Sequence, residues 1–329
     1  MQVIRNSAQD AQHGANMQRQ LLIAFGGGIA STFLLVTPLA GTFAPLPLLL
    51  AGLMTGARAV VIGGAVAFAL IAMLDGLATA TFYAGTNAVP AWIIVYHALS
   101  QRFVSGGTDW FSVGEIAARL CALIAIVICA ISLAASSAPG GIEISITSYV
   151  ETLLTQIVKV MALDVNAQGL DLMVERMAAL FPALTTLSWL FMMLVNATLA
   201  QVILVKLGKA SRPTPRYREI EVPEWTYWTF VAAAALKLLT SGDIEYVAQN
   251  LVVVFGAPFF LVGLAVAHSL AHRIKMPGMA LGAMYGSFLI FPWAPVVVTV
   301  VGFAEQWARL RDRYGRSRTL APHSQSEDE

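Results

Sequence analysis

Two ionisable residues, Asp75 and Lys237, each fall within an apolar stretch of the sequence. A charge at the centre of a bilayer costs about 2.5–3.5 kcal/mol on insertion scales, so such residues mark functional sites by default. We therefore predict that the two side chains pair with each other or bind a solute. A structural alternative stays open, in which Lys237 extends outward beside Asp243 and Glu245 and Asp75 bonds within its own helix.

Uncharged polar residues near the same ends of the apolar stretches complete the predicted site. A typical ligand pocket has mostly apolar walls and a few convergent polar groups. The predicted solute-binding residues are Asp75, Lys237, Tyr83, Asn87, Thr42 and Tyr246. We expect the stretch from Pro38 to Pro47 to be a loop over this pocket, because proline cannot continue a helix and non-helical backbone at membrane depth must be covered. The alternative is a membrane hairpin with a proline-rich turn at the interface.

Other kinds of chemistry find little support in the sequence. The five histidines are scattered, and His268 and His272 have no acidic neighbour close in sequence, so no metal site is predicted. The sequence shows no signature of a nucleophile with its base or of paired catalytic carboxylates. We therefore predict no catalytic residue, no cofactor and no enzymatic activity. A lipid-modifying activity through Asp75, His97 and Arg119 stays open, although nothing in the sequence requires it.

Composition places these residues in a membrane protein. The 329-residue chain is 57% hydrophobic and 12% charged, with a mean hydropathy of +0.71, whereas soluble domains are about a quarter charged. Repeated apolar runs of nearly twenty residues predict an all-α polytopic transmembrane helical bundle. The net charge of +1 gives no reason to expect a nucleic-acid partner. Cys121 and Cys129 lie too far apart along a helix to form a disulfide.

The domain organisation follows from the distribution of apolar segments, of which about ten are predicted. A polar N-terminal arm at 1–18, predicted to be disordered, precedes a transmembrane domain at 19–308. That domain carries an outer amphipathic insertion at 137–176 and a basic cytoplasmic linker at 206–224. A charged, disordered tail occupies 309–329.

Local signals predict three details of this topology. Within the insertion, apolar residues recur at helical spacing and predict an amphipathic helix over 145–161 at the outer interface. Gly85-Thr86-Asn87 is predicted to be the turn between the third and fourth apolar segments. The segment 278–307 is interpreted as a hairpin of two short helices split near Pro292, and a single helix is the alternative.

Lysine and arginine set the predicted orientation. They cluster in alternate loops, in the N-terminal arm and in the tail, so both termini are predicted to be cytoplasmic in a multi-pass protein of a bacterial inner (plasma) membrane. Anionic lipid headgroups at the basic cytoplasmic loops are predicted partners. Docking of a cytoplasmic protein onto the same loops is the alternative.

Two stretches carry a resemblance to known families. The segment from Leu46 to Arg58, LPLLLAGLMTGAR, followed by a glycine-rich helix, resembles the second and third helices of the substrate-binding subunits (S components) of energy-coupling-factor transporters. The segment from Gly302 to Arg309, GFAEQWAR, resembles the ending of the uncharacterised YybS-like membrane proteins, with Glu305 where that family commonly has Asp. The YybS-like family is itself similar to the S components.

The resemblance implies an S-component-like bundle that binds or helps to transport a small solute from the outer side. S components bind a vitamin or metal ion in an outward pocket that is capped by the loop after the first helix. The resemblance also implies a coupling or ATPase subunit as a partner. No ligand-contact motif of a known vitamin carrier is present. The alternative function is a non-transporting envelope protein that organises lipid or partner proteins.

Overall fold

The computed structural model describes residues 2–37, 40–104, 107–137 and 140–308. Pro38, Ser105-Gly106 and the predicted tail at 309–329 lie outside these ranges. Within them the chain forms eleven α-helices and one antiparallel β-hairpin. The elements are α1 Gln2–Val36, α2 Pro45–Thr55, α3 Ala57–Tyr83, α4 Val89–Leu99, β1 Gln101–Val104, β2 Gly107–Trp110, α5 Val113–Ala135, α6 Gly141–Val160, α7 Ala167–Lys206, α8 Glu224–Leu239, α9 Asp243–Ala271, α10 Pro277–Ile290 and α11 Ala294–Ala308.

The apolar helices confirm the predicted multi-pass helical bundle. In the described residues, five helical stretches are long and apolar enough to cross a membrane, namely Gly14–Val36, Ala57–Leu99, Val113–Ala135, Ala167–Lys206 and Asp243–Ala271. Most of the predicted apolar segments coincide with a helix or with most of one, including the two short helices α10 and α11, whereas the third contains a chain reversal. The number of spans, about ten, stays a prediction.

Two boundaries near the N-terminus differ from the predicted ones. The polar arm is helical from Gln2 onward, because no proline interrupts α1 and extending a helix is easier than starting one. Pro45 and Pro47 belong to the first turn of α2, where proline is tolerated, so the predicted proline loop is shorter than expected. A single 3-10 turn at Gly41–Phe43 precedes α2.

The third and fourth apolar segments reverse at Gly76 and not at the predicted turn at 85–87. Gly76 has φ 88° and ψ 169° inside α3, a conformation that is essentially restricted to glycine. Gly64 and Ala88 lie equally far before and after it, and a Cβ on Gly64 would be only 3.0 Å from the Ala88 Cβ. The two arms therefore fold back against each other, and Asp75 lies exposed at the reversal.

This reversal predicts a specific labelling pattern. In the orientation predicted from lysine and arginine, we expect a cysteine at Asp75, in a Cys121→Ser, Cys129→Ser background, to react with a membrane-impermeant maleimide added to intact cells. A cysteine at Thr86 should stay unlabelled, because it lies about 15 Å along the returning arm, and a cysteine at Lys209 should react only after permeabilisation. Labelling of Thr86 but not of Asp75 would instead place the turn at 85–87.

The predicted amphipathic helix is present as α6, and its apolar face packs against the start of α7. Val150 and Leu154 are buried against Val174 and Ala178. The first turn of α6 is bonded to the start of α9, where the Glu143 amide donates to Asp243 Oδ1 at 3.3 Å. The insertion is thus a helical hairpin made of α6 and the first half of α7.

Pro182 lies inside α7, and side chains of α9 bind the backbone groups that it frees. Proline has no N–H for the carbonyl of Ala178, and the Tyr246 hydroxyl donates to that carbonyl at 2.7 Å. Asn250 Oδ1 accepts from the Ala183 amide at 2.9 Å, and its Nδ2 donates to the Ala179 carbonyl at 3.2 Å. Neighbouring helices commonly satisfy backbone groups around a membrane proline in this way.

Glycines permit the closest helix crossings. A Cβ on Gly28 of α1 would overlap the Gly63 carbonyl of α3, and one on Gly302 of α11 would overlap the Phe259 carbonyl of α9. Gly263 faces Gly302 at the second crossing. Small residues of this kind let membrane helices approach backbone to backbone.

Candidate functional site

Ser31, Thr42, Tyr83 and Asn196 are linked by hydrogen bonds at the turn after α1, and Asn87 follows Tyr83 by four residues; we call these five polar residues the polar centre. They come from α1, the 3-10 turn, the end of α3, the π-helical segment Ala84–Ala88 and α7. All except Thr42 are buried. Buried polar groups in an apolar bundle need partners, so each of their hydrogen bonds is informative.

Side chains of the polar centre hold the turn against the bundle. We call residues 41–44 the covering turn. Ser31 Oγ donates to the Ala44 carbonyl at 2.5 Å and shares a hydrogen bond with the Tyr83 hydroxyl. Asn196 Nδ2 donates to the Thr42 carbonyl and to the Met192 carbonyl, both at 2.9 Å. The covering turn thus receives hydrogen bonds from two buried side chains through two of its carbonyl oxygens.

Asn196 retains an unused acceptor beneath this turn. The residue is 1% exposed, and its Oδ1 has no hydrogen-bond partner among the described residues. A buried polar group without a partner costs about 1–3 kcal/mol. The Oδ1 atom can therefore accept one further hydrogen bond, from an ordered water molecule or from a solute.

The π-helical segment follows Tyr83 directly and is bonded to α7 through Trp189. Trp189 Nε1 donates to the Thr86 carbonyl at 2.8 Å, and Asn87 Nδ2 donates to Thr86 Oγ1 at 2.9 Å. Trp189 and Asn196 are seven residues apart and share a face of α7. Single π-helical turns often lie at functional sites, since they displace backbone groups from the regular ladder.

The structure separates the six predicted site residues into two sets. Thr42, Tyr83 and Asn87 belong to the polar centre, whereas Asp75, Lys237 and Tyr246 do not. Asp75 lies at the exposed reversal of α3, and Lys237 Nζ is 3.8 Å from Glu245 Oε1, so the ion pair of Lys237 is with Glu245 and not with Asp75.

Tyr246 has a structural partner instead of a place in the polar centre. Its hydroxyl bonds the carbonyl of Ala178, which lies roughly 27 Å along α7 from Asn196. Proline chemistry explains this contact, because Tyr246 occupies the acceptor that Pro182 leaves open.

Sequence reasoning missed Ser31, Trp189 and Asn196. Asn196 had a usable signal, because a primary amide in the apolar run LFMMLVNATLA is costly unless it is bonded. Ser31 carried no such signal, since single serines are frequent at helix interfaces in membranes.

Histidines do not form a metal centre in the part of the chain that the structure describes, where no group of three His, Cys, Asp or Glu side chains could hold an ion. His97 Nδ1 lies 2.9 Å from the Ile93 carbonyl, and His268 Nδ1 lies 2.8 Å from the Leu264 carbonyl. Each of these two rings is therefore bonded back to its own helix.

A family model agrees with this architecture. The model described as "Predicted membrane protein (DUF2232)" matches residues 28–305, which include the whole polar centre. The chain belongs to this family. Membership in DUF2232 agrees with the five apolar helical stretches and establishes a multi-pass membrane location. No curated protein and no solved structure matches the chain.

Proposed function

We propose that the polar centre binds a small, uncharged polar solute, and that this DUF2232 protein is a solute-binding membrane subunit. One observation carries the proposal, namely the unpaired Oδ1 of Asn196 beneath the covering turn. A hydroxyl or amide N–H of a solute would supply the missing donor. Hydroxyl groups of Ser31 and Tyr83 lie under the same turn and offer further hydrogen bonds.

The chemistry of the polar centre selects against charged solutes. Its five residues offer hydroxyl and amide groups only, and the charged candidates Asp75 and Lys237 lie elsewhere. A charge buried without a partner of opposite sign is far more costly than a neutral polar group. A solute with a few hydroxyl or amide groups therefore fits best.

The covering turn is the proposed entry. Its two bonds, from Ser31 to Ala44 and from Asn196 to Thr42, join side chains to backbone carbonyls. A polar solute can replace each of these bonds, so the turn opens in exchange for contacts with the solute. In the predicted orientation this turn faces the outer side of a bacterial inner membrane.

The proposal agrees with the resemblance to S components, in which the loop after the first helix caps the ligand. It extends to a coupling or ATPase subunit as the partner that would use the captured solute. A second candidate function, organisation of the envelope, is favoured by the tip of the α6–α7 hairpin, where Val160 is 85% exposed and Met161 is also exposed. That candidate gives Asn196 no role.

We expect Asn196→Ala to lower the amount of small polar molecule that co-purifies with the protein at least tenfold. The change removes both the free acceptor and one bond to the covering turn, and about 1.4 kcal/mol corresponds to a factor of ten. The measurement is quantitative mass spectrometry of small molecules extracted from purified protein, per mole of chain. Tyr83→Phe should cause a smaller loss, since it removes one hydroxyl.

Ser188→Ala is the matched control, because Ser188 is an exposed residue of α7 whose hydroxyl bonds only its own helix, at the Leu184 carbonyl. It should leave the extracted amounts unchanged. Equal amounts in wild type and Asn196→Ala, with helix content and thermal midpoint preserved, would contradict a solute site in the polar centre.

A further inference from the structure

A groove of about 530 Å³ lies between the β-hairpin and the linker from α7 to α8. We call it the hairpin groove. Its lining includes Arg102, Asp109 and Trp110 on the hairpin side, and Arg212 and Glu221 on the linker side. The hairpin itself was not predicted, since this part of the sequence reads as the end of an apolar helix and a loop.

Two of the arginines that line the hairpin groove are neutralised by carboxylates. Arg102 lies 3.3 Å from Asp109 and 2.7 Å from Glu115. Arg216 lies 3.2 Å from Glu219, and both of those side chains are largely exposed. Arg212 takes part in none of the ion pairs among the described residues. Among the described residues, Arg212 is therefore the one arginine of the groove wall that has no direct counter-ion.

Arg212 is nevertheless buried, with only 8% of its surface exposed. Its Nη1 donates to the Ala98 carbonyl at 3.0 Å and its Nη2 to the Phe111 carbonyl at 3.4 Å, while Nε has no partner among the described residues. The guanidinium lies 5.6 Å from the ring centre of Trp110. Burial lowers the pKa of Arg212, yet an arginine stays protonated in proteins. A buried cation of this kind favours an anion nearby.

A second, apolar cleft adjoins the groove at the same arginine. The cleft has a volume of about 50 Å³, and Ile94, Ala98 and Leu194 are among its lining residues. Arg212, Val113 and Pro215 line both spaces. A polar groove and an apolar cleft thus meet at the guanidinium, and this arrangement suits a molecule with an anionic head and an apolar chain.

We propose that Arg212 binds the phosphate of an anionic lipid, with the headgroup in the hairpin groove and the start of an acyl chain in the apolar cleft. The planar donors of arginine match the oxygen atoms of a phosphate. This site is separate from the polar centre and does not depend on the proposed solute function. It is also more specific than attraction of anionic lipid to basic loops, because it assigns the contact to one buried side chain.

Glu221 allows a second test of how charge in the hairpin groove affects phosphate binding. Glu221 is exposed and lines the hairpin groove, and it takes part in none of the ion pairs among the described residues. A carboxylate beside a bound phosphate repels it. Glu221→Gln should therefore strengthen lipid binding, whereas a change at Arg212 should weaken it.

The experiment uses the full chain in detergent with three probes, measured by native mass spectrometry. The probes are dioctanoyl phosphatidylglycerol, dioctanoylglycerol, which lacks the phosphate, and glycerol 3-phosphate, which lacks the chains. We expect the phosphatidylglycerol to bind at least tenfold more tightly than either of the others. Equal binding of glycerol 3-phosphate would overturn the lipid assignment in favour of a soluble phosphate ester, and equal binding of dioctanoylglycerol would overturn the phosphate contact.

Variants then assign the contact to the side chain. Arg212→Gln should weaken phosphatidylglycerol binding about tenfold or more, and Arg212→Lys should restore part of it. Arg218→Gln is the matched control, because Arg218 lies in the same linker but its Nη2 contacts His272 Nε2 at 2.7 Å. Unchanged lipid binding in folded Arg212→Gln would overturn the proposal. If that variant does not fold, two other results test the proposal: the three probes on the wild-type chain, and the direction of the Glu221→Gln effect. Weaker lipid binding in Glu221→Gln would contradict the proposal.

Discussion

Asn250→Leu is expected to destabilise the protein by about 2–4 kcal/mol, since it strands the buried Ala183 N–H of α7 and removes one of the two side-chain bonds to the Ala179 carbonyl. Asn250 is completely buried. Its amide oxygen accepts from the Ala183 N–H, and its amide nitrogen donates to the carbonyls of Ala179 and Tyr246. Leucine offers neither a donor nor an acceptor, and the lipid around the bundle supplies no water to replace them.

The size of this effect depends on Pro182. Without a proline at that position, the α7 backbone can close its own ladder, and the side chain of Asn250 is no longer needed there. Pro182→Ala should therefore reduce the loss caused by Asn250→Leu, and the two changes should be strongly non-additive in a double-mutant cycle. The measurement is the free energy of unfolding in mixed detergent micelles for all four chains.

Gln249→Leu is the matched control for this cycle, because Gln249 is only partly buried and bonds the Ala179 carbonyl at 3.3 Å. Gln249→Leu should lower the free energy of unfolding by less than about 1 kcal/mol. Equal losses from Asn250→Leu in the wild-type and the Pro182→Ala backgrounds would show that Asn250 does not act on the proline break.

Gly302→Ala is expected to destabilise the contact between α11 and α9 by about 3 kcal/mol, the upper end of the usual cost of overpacking. The new Cβ would overlap the Phe259 carbonyl and lie 2.5 Å from the Gly263 amide nitrogen. Both are backbone atoms, so no side chain can rotate to make room. The two helices must separate, and the packing of Phe303 against Phe259 is weakened with them.

The measurement is again the free energy of unfolding, with Gly282→Ala as control. Gly282 lies in α10 and a Cβ there would meet nothing within 4 Å. That change should be neutral or should stabilise the helix by up to about 1 kcal/mol, because alanine is the better helix former. A similar unfolding energy for Gly302→Ala and Gly282→Ala would contradict the close crossing.

Local sequence signals predicted the helices well, because each apolar run contains the information for its own helix. The turn was predicted at 85–87, where the polar triplet is the longer signal. The dipeptide Asp75-Gly76 is also a turn signal, and the chain reverses there. The hydrogen-bond partners between helices were harder to predict from the sequence. The role of Tyr246 depends on Pro182, which is distant in sequence and reached only through packing of α7 on α9.

The candidate site likewise contains residues that local sequence signals predicted and residues that they did not. Thr42, Tyr83 and Asn87 were predicted from their positions near the ends of apolar runs, and all three belong to the polar centre. Asp75 and Lys237 were chosen for their charge, but a reversal and a nearby carboxylate account for their positions. The contribution of Asn196 follows from α7 packing beneath the covering turn, which a single sequence does not encode locally.

The most direct test of the proposed function is the intact mass of wild-type protein taken from its native membrane and kept folded in the mass spectrometer. We expect one small, uncharged polar molecule per chain, in addition to any lipid, that is released on gentle activation. A folded wild-type chain that carries lipid adducts only, or a charged small molecule whose amount is unaffected by Asn196→Ala, would contradict it.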